Sequence, residues 1–330
     1  MTGINDIVRP IEGEFQAYIR YFESLFKDSN PLLNDVLAYV SLKRGKQLRP
    51  RLVLLAAKLC HGITDKTLLS AAALELLHTA SLIHDDVVDR SPLRRGHEAV
   101  HTRWNNKVAV LAGDYLLARV IGLVAEVHNA QILNIVSNIG RTLSSGELLQ
   151  IHAKQSMWIS EQQYYEVISQ KTASLFAACM EAGAASSGAT MRQTTALREF
   201  GWHLGMCFQL KDDVLDYSDS EELGKPTMSD VFDGKLTLPL LISLQRAPQG
   251  EAEQVKTWVE AYLAGASQLP HDELEQEVKS LVLRYDGIHY AYRKMQEHKQ
   301  KAVEVLSVFH DSTAKQALID LLDYTINRVH

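Results

Sequence analysis

The stretch LLSAAALELLHTASLIHDDVVD, residues 68–89, does most to decide the fold. It is rich in Ala and Leu, which favour helix, and apolar side chains fall on every face of that helix. A helix that is apolar all round is normally buried. Yet the stretch ends in Asp85, Asp86 and Asp89, and ionised carboxylates are costly to bury unless a positive charge neutralises them. It therefore predicts a core helix whose C-terminal end forms part of a functional site.

The rest of the chain continues in the same helical manner. Stretches rich in Ala, Leu, Glu, Gln and Lys follow one another, and no series of short alternating runs indicates a sheet. Capping boxes predict helix starts at Thr190, with Gln193 three residues later, and at Ser160, with Gln163. No linker or change of composition divides the 330 residues. We therefore expect an all-α protein with a single large helical domain over residues 1–330.

Composition and charge narrow the function classes. Lys and Arg number 34 against 40 Asp and Glu, a formal net charge of −6, which argues against nucleic acid because phosphate backbones are held by a basic surplus. The cysteines, Cys60, Cys179 and Cys207, lack the close spacing of a zinc or redox site. The N-terminus, MTGINDIVRP, lacks the basic-then-apolar pattern of a secretion signal. We expect a cytoplasmic protein.

One segment, Val108–Ala125, is apolar enough to be considered as a membrane span. Asp114 and Arg119 interrupt it, whereas a spanning helix needs about 20 nearly uncharged residues. We therefore interpret the segment as a buried core helix and expect no transmembrane segment in this protein.

A second aspartate cluster repeats the spacing of the first. DDVVD at residues 85–89 is matched by DDVLD at residues 212–216. On a helix, positions i and i+4 lie on one face, so the first and last aspartates of each cluster are neighbours. Oxygen-only clusters suit Mg²⁺, which takes a few carboxylates and completes its shell with water and phosphate oxygens. Unless both clusters are merely solvated helix ends, the predicted metal ligands are Asp85, Asp86, Asp89, Asp212, Asp213 and Asp216.

Basic residues occur where phosphate would need them. Arg94 and Arg95 follow the first cluster, on an expected loop, and the motif GKQLRP supplies Lys46 and Arg49. Guanidinium groups match phosphate oxygens in bidentate fashion, and Lys supplies a point charge. Each patch alone is typical of a wetted surface, and a lone histidine such as His78 is more often structural. Together with the acidic clusters they indicate two bound anions, one bridged by metal and the other held by these cations.

The motifs follow one another in the order of a known family. Along the chain stand GKQLRP, ELLHTASLIHDDVVD, RRG, GDYLLAR, GELLQ, QKTASLF, FQLKDDVLD, GKP and DGKLTLPLL. With this set the chain resembles the trans-isoprenyl diphosphate synthases, among them most the long-chain polyprenyl (octaprenyl-type) diphosphate synthases. The resemblance implies the isoprenoid synthase fold, all-α with a central cavity, a homodimer, and Mg²⁺ as cofactor. One departure is Ser229, where the family usually has Gly.

The resemblance also implies a role for each motif residue. The diphosphate of isopentenyl diphosphate would be held by Lys46, Arg49, His78 and Arg95. Mg²⁺ on Asp85, Asp86 and Asp89, facing Asp212, Asp213 and Asp216, would clamp an allylic diphosphate of the farnesyl or geranyl type. The same leaving group would be contacted by Arg94, Lys171, Lys225 and Lys235. Thr172 and Gln209 would line the reacting centre, with Gln150 as a weaker candidate.

The implied reaction is ionisation, condensation and elimination. The allylic C–O bond breaks, the double bond of isopentenyl diphosphate attacks the resulting cation, and a proton is lost. Because charge builds on the leaving diphosphate, the enzyme must stabilise it with metal ions and fixed cationic side chains. The expected catalytic residues are Asp85, Asp86, Asp89, Arg94, Lys171, Asp212 and Asp213. The aspartates serve as metal ligands, and the departing diphosphate is the expected proton acceptor, since no His–carboxylate pair stands out.

Product length is expected to follow the depth of an apolar groove beneath the first cluster. Ala80 and Ser81, one turn before it, are small, and Ser81 shares a face with Asp85. Leu77 and Leu74 are candidate floor residues. Unless the small residues only allow close helix packing, they predict a medium-to-long all-trans polyprenyl diphosphate for isoprenoid biosynthesis, in particular for quinone side chains.

Four alternative functions stay open at this point. The nearest is a shorter-chain synthase that makes farnesyl or geranylgeranyl diphosphate. A terpene cyclase would not need GKQLRP, His78 or Arg95. A metal phosphohydrolase built on His84 and Asp85 would leave the second cluster unexplained. A non-catalytic synthase subunit would be expected to have lost aspartates, whereas all six are present.

Overall fold

The structure is a computed structural model that describes residues 3–42, 45–156, 158–218 and 228–328. Helices dominate it, so the expected all-α class is confirmed. The first are α1 (Ile4–Ile7), α2 (Glu12–Ser24), α3 (Pro31–Leu42), α4 (Leu48–Cys60), α5 (Asp65–Val88), α6 (Val100–Arg103) and α7 (Asn106–Val127). Then come α8 (Ala130–Ser156), α9 (Glu161–Ile168), α10 (Ser174–Ser186), α11 (Met191–Leu215) and α12 (Ser229–Phe232). The last are α13 (Leu238–Arg246), α14 (Gln249–Leu263), α15 (His271–Arg284), α16 (Gly287–Val305) and α17 (Thr313–Asn327).

Both predicted capping boxes form. The Thr190 hydroxyl accepts the Gln193 N–H at 3.3 Å, and the Gln193 side chain accepts the Thr190 N–H at 3.0 Å. Ser160 and Gln163 exchange the same two hydrogen bonds at the start of α9. These reciprocal bonds satisfy N–H groups that have no partner within the helix, so the local sequence determines where α9 and α11 begin.

The chain divides into two compact units. The first comprises the residues up to Arg141, Leu175–Gly201 and Val305–Leu321. The second comprises Thr142–Ser174, Trp202–Glu304 and the residues from Leu322 onward. A single domain over residues 1–330 stays a prediction.

The first unit is built around α5. Residues 71–74 and Leu76 have no exposed surface, as the apolar pattern on all faces predicts. The helix packs along α7 and against α4. α4 also meets α10 closely, because a Cβ on Gly183 would lie 2.3 Å from the Val53 carbonyl oxygen. Burial of α5 on several sides fixes the position of its polar C-terminal end.

The expectation of a buried helix is only half right for α7. The helix buries one face, which includes Ala112 and Leu116, but Leu111 is 67% exposed and Ile121 72% exposed. Apolar composition alone does not distinguish a helix buried within its own chain from one that keeps an uncovered apolar face. By length and composition both α5 and α7 could cross a membrane, which is weak evidence because the apolar part of α5 is mostly buried within the protein.

The second unit has its own apolar core, to which α12 to α15 contribute. Its buried members are Tyr217, Met228, Val231, Leu240, Leu244, Ala252, Val255, Val259, Leu274, Val278, Leu281 and Val282. A π-helical turn, Ser169–Ala173, links α9 to α10 in this region of the chain. Because Tyr217 directly follows Asp216, this core anchors the chain at the end of the second aspartate cluster.

A two-stranded hairpin replaces the expected loop after α5. β1 (Leu93–Arg94) pairs antiparallel with β2 (His97–Glu98). Arg95 and Gly96 form the turn with φ values of 54° and 74°, the left-handed pair that tight hairpin turns require. Strands of two residues are too short to show the alternating pattern by which strands are recognised, so the sequence did not predict them.

Candidate active site

The first aspartate cluster lies at the C-terminal end of α5. Asp85 and Asp89 are half-buried, whereas Asp86 is only 4% exposed. Arg94 donates to Oδ1 of Asp86 from two nitrogens, from Nε at 2.8 Å and from Nη2. Burial raises the pKa of Asp86, and the hydrogen bonds and charge of Arg94 oppose that shift. This ion pair ties the hairpin to the end of α5.

A pocket in the first unit brings together several of the predicted diphosphate ligands. His78, Arg94 and Arg95 line it, together with Asp86 and Glu75. Thr79 and Glu98 also line it, and apolar and aromatic side chains form the rest of its wall: Phe26, Tyr39, Val40, Leu82, Ile83, Ala99 and Val100. The pocket therefore has a cationic part suited to an anion and an apolar part suited to a hydrocarbon.

His78 lies among arginines. Burial lowers the pKa of its imidazole well below the usual value, and the charges of Arg49, Arg95 and Arg94 lower it further. The neutral ring can still donate one hydrogen bond to an oxygen of an anion. Arg49 is placed by its own stacking, with its guanidinium carbon 5.3 Å from the centroid of the Phe176 ring. Three arginines and a neutral histidine thus form one cationic group.

Gly45 makes room for one of these arginines. A Cβ added at this position would lie 2.7 Å from Cζ of Arg95, so only glycine leaves space for the guanidinium. Burial lowers the pKa of Arg95, and the Glu75 carboxylate counteracts that shift. Lys46, the next residue in the motif, is exposed. Gly45 and Glu75, which were not predicted as site residues, thus contribute to the placement and charge of Arg95.

The residues predicted to set product length differ in their surroundings. Ala80 has no exposed surface, Leu77 is 7% exposed, and Ser81 is half-buried. The Ser81 hydroxyl donates to the carbonyl oxygen of His78 at 2.9 Å, as helical serines often do. Leu74, one turn before His78, is fully buried. The effect of these side chains on product length stays a prediction.

His84, directly before the first cluster, is turned toward α7. Its Nε2 lies 3.1 Å from the carbonyl oxygen of Val110 and 3.7 Å from Oδ1 of Asp114. A Cβ on Gly113 would lie 2.1 Å from that nitrogen, so the Gly-Asp pair of GDYLLAR accommodates the ring. The imidazole joins α5 to α7, and this orientation counts against the phosphohydrolase alternative, which needs it as a metal ligand.

The second aspartate cluster, at the end of α11, is held by side chains from several elements. Arg328, which follows α17, donates to Oδ1 of Asp212. Tyr164 of α9 donates to Oδ2 of Asp213, and Gln209 donates to Oδ1 of the same carboxylate at 2.9 Å. Both oxygens of Asp213 are therefore engaged by the protein, whereas the bond from Arg328 uses one oxygen of Asp212.

Asp216 completes this cluster. The Ser229 hydroxyl, at the position where the family usually has Gly, donates to its Oδ1 at 3.2 Å, and the Asp230 N–H donates to Oδ2 at 3.2 Å. Burial raises the pKa of Asp216 to about 7, and the Asp230 charge adds to the shift. Burial likewise raises the pKa of Asp213 to about 7, against the hydrogen bonds from Tyr164 and Gln209.

The two clusters suit a divalent metal ion. All their donors are carboxylate oxygens, the ligands that Mg²⁺ prefers. The charges of Asp230 and Asp212 add to the raised pKa of Asp213, so these carboxylates repel one another. A divalent cation would relieve that repulsion and favour the ionised forms. Residues of this type at this spacing fit Mg²⁺.

Hydrogen bonds connect the residues predicted at the reacting centre to the second cluster. The Thr172 hydroxyl donates to Oε1 of Gln209 at 2.8 Å, and the Gln209 amide in turn donates to Asp213. Thr172 lies in the π-helical turn, a geometry that is frequent at functional sites. A continuous chain of hydrogen bonds thus connects the predicted reacting centre with the aspartates.

The predicted lysine ligands have acidic partners. Lys171 lies 2.5 Å from Oε2 of Glu147, and Lys235 lies 3.7 Å from Oδ1 of Asp230. Gln150 has a buried Nε2 with no hydrogen-bond partner among the described residues. Lys225 lies outside the described residues. Lys171 and Lys235 are thus held by carboxylates that an anionic ligand could replace.

Several supporting residues were not predicted, although one of them, Glu147, lies within the GELLQ motif. These residues, Tyr164, Glu147 and Arg328, contact partners that are distant in sequence. Arg328 and its partner Asp212, for example, are 116 residues apart. Motif spacing reveals side chains on one helix, but it carries no information on which distant element approaches them.

Known proteins resemble this chain over nearly its whole length. The family model described as polyprenyl synthetase matches residues 30–271. This chain belongs to the polyprenyl synthetase family. The octaprenyl diphosphate synthase of Haemophilus influenzae is 34% identical over 329 residues, which cover 99% of this chain and 98% of that protein.

Solved structures give the same result for this polyprenyl synthetase. The polyprenyl synthase of Caulobacter crescentus, complexed with calcium and isoprenyl diphosphate, has a TM-score of 0.90 and 33% identity, with 99% of this chain and 98% of that chain covered. The geranylgeranyl pyrophosphate synthase of Bacteroides thetaiotaomicron has a TM-score of 0.81 and 39% identity, with 98% and 100% covered. The predicted isoprenoid synthase fold and prenyltransferase class are confirmed.

Proposed function

We propose that this polyprenyl synthetase condenses isopentenyl diphosphate units onto an allylic diphosphate primer of the farnesyl or geranyl type, with Mg²⁺ as cofactor. The observation that carries this proposal is the cationic group around neutral His78, on the same helix as the first aspartate cluster. A second anion site beside a metal cluster suits a reaction between two diphosphates, and a terpene cyclase has no use for it. The calcium and isoprenyl diphosphate bound to the Caulobacter protein support a divalent ion and this class of ligand.

In the proposed reaction, the chain's own residues bind both substrates and stabilise charge. The diphosphate of isopentenyl diphosphate is held by Lys46, Arg49, His78 and Arg95. Mg²⁺, when bound by the six aspartates, supplies positive charge to the leaving diphosphate of the primer. Two of these aspartates are also held in position by hydrogen bonds from the protein. Asp86 accepts from Arg94, and Asp213 accepts from Tyr164 and Gln209.

The remaining cationic side chains stabilise the leaving diphosphate: Arg94, Lys171, Lys225 and Lys235. Lys171 exchanges its partner Glu147 for the diphosphate, which concentrates positive charge where negative charge develops. Thr172 and Gln209 offer oxygen atoms toward the carbocation. The apolar wall of the first-unit pocket excludes water that would otherwise trap this cation, and the departing diphosphate takes the proton.

The product proposed here is a medium-to-long all-trans polyprenyl diphosphate. Ala80 and Ser81 leave no bulk next to the first cluster, and the Haemophilus relative is an octaprenyl diphosphate synthase. The alternative is a geranylgeranyl product, which the 39% identity to the Bacteroides geranylgeranyl pyrophosphate synthase favours. Measured product length distinguishes the two.

Assembly and location are also part of the proposal. The exposed apolar side chains of α7 support a homodimer, because monomeric proteins rarely leave such a surface uncovered. Cys60, Cys179 and Cys207 are free, and burial raises the pKa of their thiols to about 11, 12 and 12, as suits unreactive cysteines in a reducing cytoplasm. The product would enter isoprenoid biosynthesis, in particular that of quinone side chains.

Incubation of the purified chain with farnesyl diphosphate, labelled isopentenyl diphosphate and Mg²⁺ tests the function. We expect labelled products several isoprene units longer than the primer, and no products in EDTA. Asp85→Asn and Asp212→Asn should each lower kcat by about 10²–10³-fold, the usual cost of losing one group that stabilises transition-state charge. Release of phosphate without chain elongation would refute the proposal, as would activity that needs a second, different chain.

A further inference from the structure

The second aspartate cluster is held from near the C-terminal end of the chain. Arg328 is largely buried, with 13% of its side chain exposed. Its Nη2 donates to Oδ1 of Asp212 and, at 3.1 Å, to the carbonyl oxygen of Phe208, one helical turn earlier. Its guanidinium carbon also lies 4.3 Å from the centroid of the Phe208 ring. Three contacts of different kinds therefore fix this guanidinium on α11.

We propose that Arg328 is a positioning residue for the metal ligand Asp212, and this inference rests on the proposed Mg²⁺-dependent function. By engaging Oδ1, Arg328 orients the carboxylate so that Oδ2 can bind the ion. Partners in the outer shell of a metal site orient the ligands in this way, and their loss commonly lowers metal affinity about 10–100-fold. The side chain of Asp212 is 39% exposed, so loss of the Arg328 contact would widen its range of rotamers and raise the entropy it loses on binding metal.

The positive charge of Arg328 does not prevent metal binding at this place. The charges of Asp212 and Asp230 both raise the pKa of Asp213, and Asp230 also raises that of Asp216, so four carboxylates share the region. Arg328 and Lys235, which lies 3.7 Å from Oδ1 of Asp230, bring two positive charges to these four carboxylates, so the region is negative once all four are ionised and still attracts a divalent cation. Orientation of Asp212 therefore outweighs the repulsion between Arg328 and the ion.

Metal binding by the full chain tests this inference without relying on turnover. Mn²⁺ serves as the probe, because the free ion is measured directly by electron paramagnetic resonance. We expect Arg328→Met to weaken Mn²⁺ binding about 10–100-fold. Arg328→Lys keeps the charge but not the planar guanidinium, so its Mn²⁺ affinity should lie between those of the wild type and Arg328→Met. In product assays the Mg²⁺ concentration for half-maximal rate should rise by a similar factor, while kcat at saturating Mg²⁺ changes little.

Arg246→Met is the matched control. Arg246 also contacts an aspartate, with Nη1 3.2 Å from Oδ2 of Asp286, and lies 5.1 Å from the centroid of the Tyr290 ring, but within the described part of the chain these contacts do not involve the cluster. Its loss should change thermal stability without changing Mn²⁺ affinity. A purely structural role for Arg328 would give the same pattern as this control.

The possible results separate this inference from the proposed function. Wild-type affinity, or tighter Mn²⁺ binding, in the Arg328 variants overturns the positioning role. If Arg328→Met does not fold, as judged by circular dichroism, Arg328→Lys decides the question. If the wild-type chain binds no Mn²⁺, either alone or with inorganic pyrophosphate, the proposed metal-dependent function itself fails.

Discussion

At the scale of single residues, the space at Gly45 is what allows Arg95 to reach its place. A methyl group there would lie 2.7 Å from Cζ of Arg95, the far end of a flexible side chain that can move away. We therefore expect Gly45→Ala to leave the fold intact but to raise KM for isopentenyl diphosphate about tenfold, equivalent to about 1.4 kcal/mol. KM for the allylic primer should stay within about twofold, as steady-state kinetics with each substrate varied in turn will show.

Gly13→Ala is the matched control for this prediction, because a Cβ added at Gly13 meets nothing within 4 Å. Both KM values should equal those of the wild type in this variant. An unchanged KM for isopentenyl diphosphate in Gly45→Ala would mean that Arg95 does not hold that substrate.

Asp213 should make stability depend on pH. Burial raises its pKa to about 7 in the folded chain, above the value of about 3.9 for an unfolded aspartate. Between these values the folded state binds more protons, so the carboxyl's contribution to stability is greatest at low pH and is lost as pH rises. In EDTA, the free energy of unfolding of the wild type, relative to that of Asp213→Asn, should fall from about pH 4 to about pH 7 and then level off.

Chemical denaturation at a series of pH values measures this difference. Burial lowers the pKa values of His203 and His298 to about 4, so these histidines make stability rise with pH. Both proteins contain them, so the comparison cancels their contribution to the pH dependence. A relative stability that is constant or rises across this interval would show that Asp213 is not held in a buried environment.

The aspartates could be predicted from sequence, but their partners could not. Asp85 and Asp212 stand in motifs of five residues, and helical periodicity alone relates the carboxylates within each motif. Tyr164 and Arg328 lie in stretches with no pattern of their own and reach the cluster only because the chain folds back. Partners of this kind depend on tertiary packing, which motif spacing does not encode.

At the scale of elements, α5 combines a buried apolar middle with the aspartates at its end, so changes in it should act on product length. Ala80 has no exposed surface and lies six residues, nearly two helical turns, before Asp86. We expect Ala80→Phe to shorten the main product, because a ring near the cluster blocks the growing chain. Overpacking should cost about 1–3 kcal/mol, so the assay is run well below the melting temperature.

Ala264→Phe adds the same ring at an exposed position after α14 and serves as the control. Its products, sized by mass spectrometry, should match those of the wild type. Wild-type product lengths in Ala80→Phe would place the groove elsewhere.

Helix starts could be predicted from sequence where the residues that mark them are neighbours in the chain. The capping boxes at Ser160 and Thr190 predict the starts of α9 and α11, because reciprocal side-chain bonds form within four residues. The hairpin at Arg94 and the exposed side of α7 were not predicted. The two-residue strands are stabilised by their pairing with each other and by the ion pair between Arg94 and Asp86. Whether the apolar face of α7 is covered depends on which part of the folded protein packs against it.

At the scale of the whole molecule, α7 should form the contact between two copies of the chain. Leu111 is 67% exposed and Ile121 72% exposed, and burying such side chains in a dimer contributes about 25 cal/mol per Å² of apolar surface. We expect the double variant Leu111→Lys, Ile121→Lys to halve the mass measured by light scattering. Leu283→Lys on α15, where the side chain is 69% exposed, should leave the mass unchanged. A monomeric wild type would contradict this assignment.

The central claim is that both aspartate clusters bind one diphosphate through divalent ions. It is tested most directly by a crystal structure with Mn²⁺ and an unreactive thiolo analogue of the allylic diphosphate, with the ions located by anomalous scattering. We expect anomalous peaks about 2.0–2.2 Å from carboxylate oxygens of Asp85 and Asp212, with each ion also bound to an oxygen of the same diphosphate. Peaks confined to one cluster, or a diphosphate that contacts neither, would contradict the account.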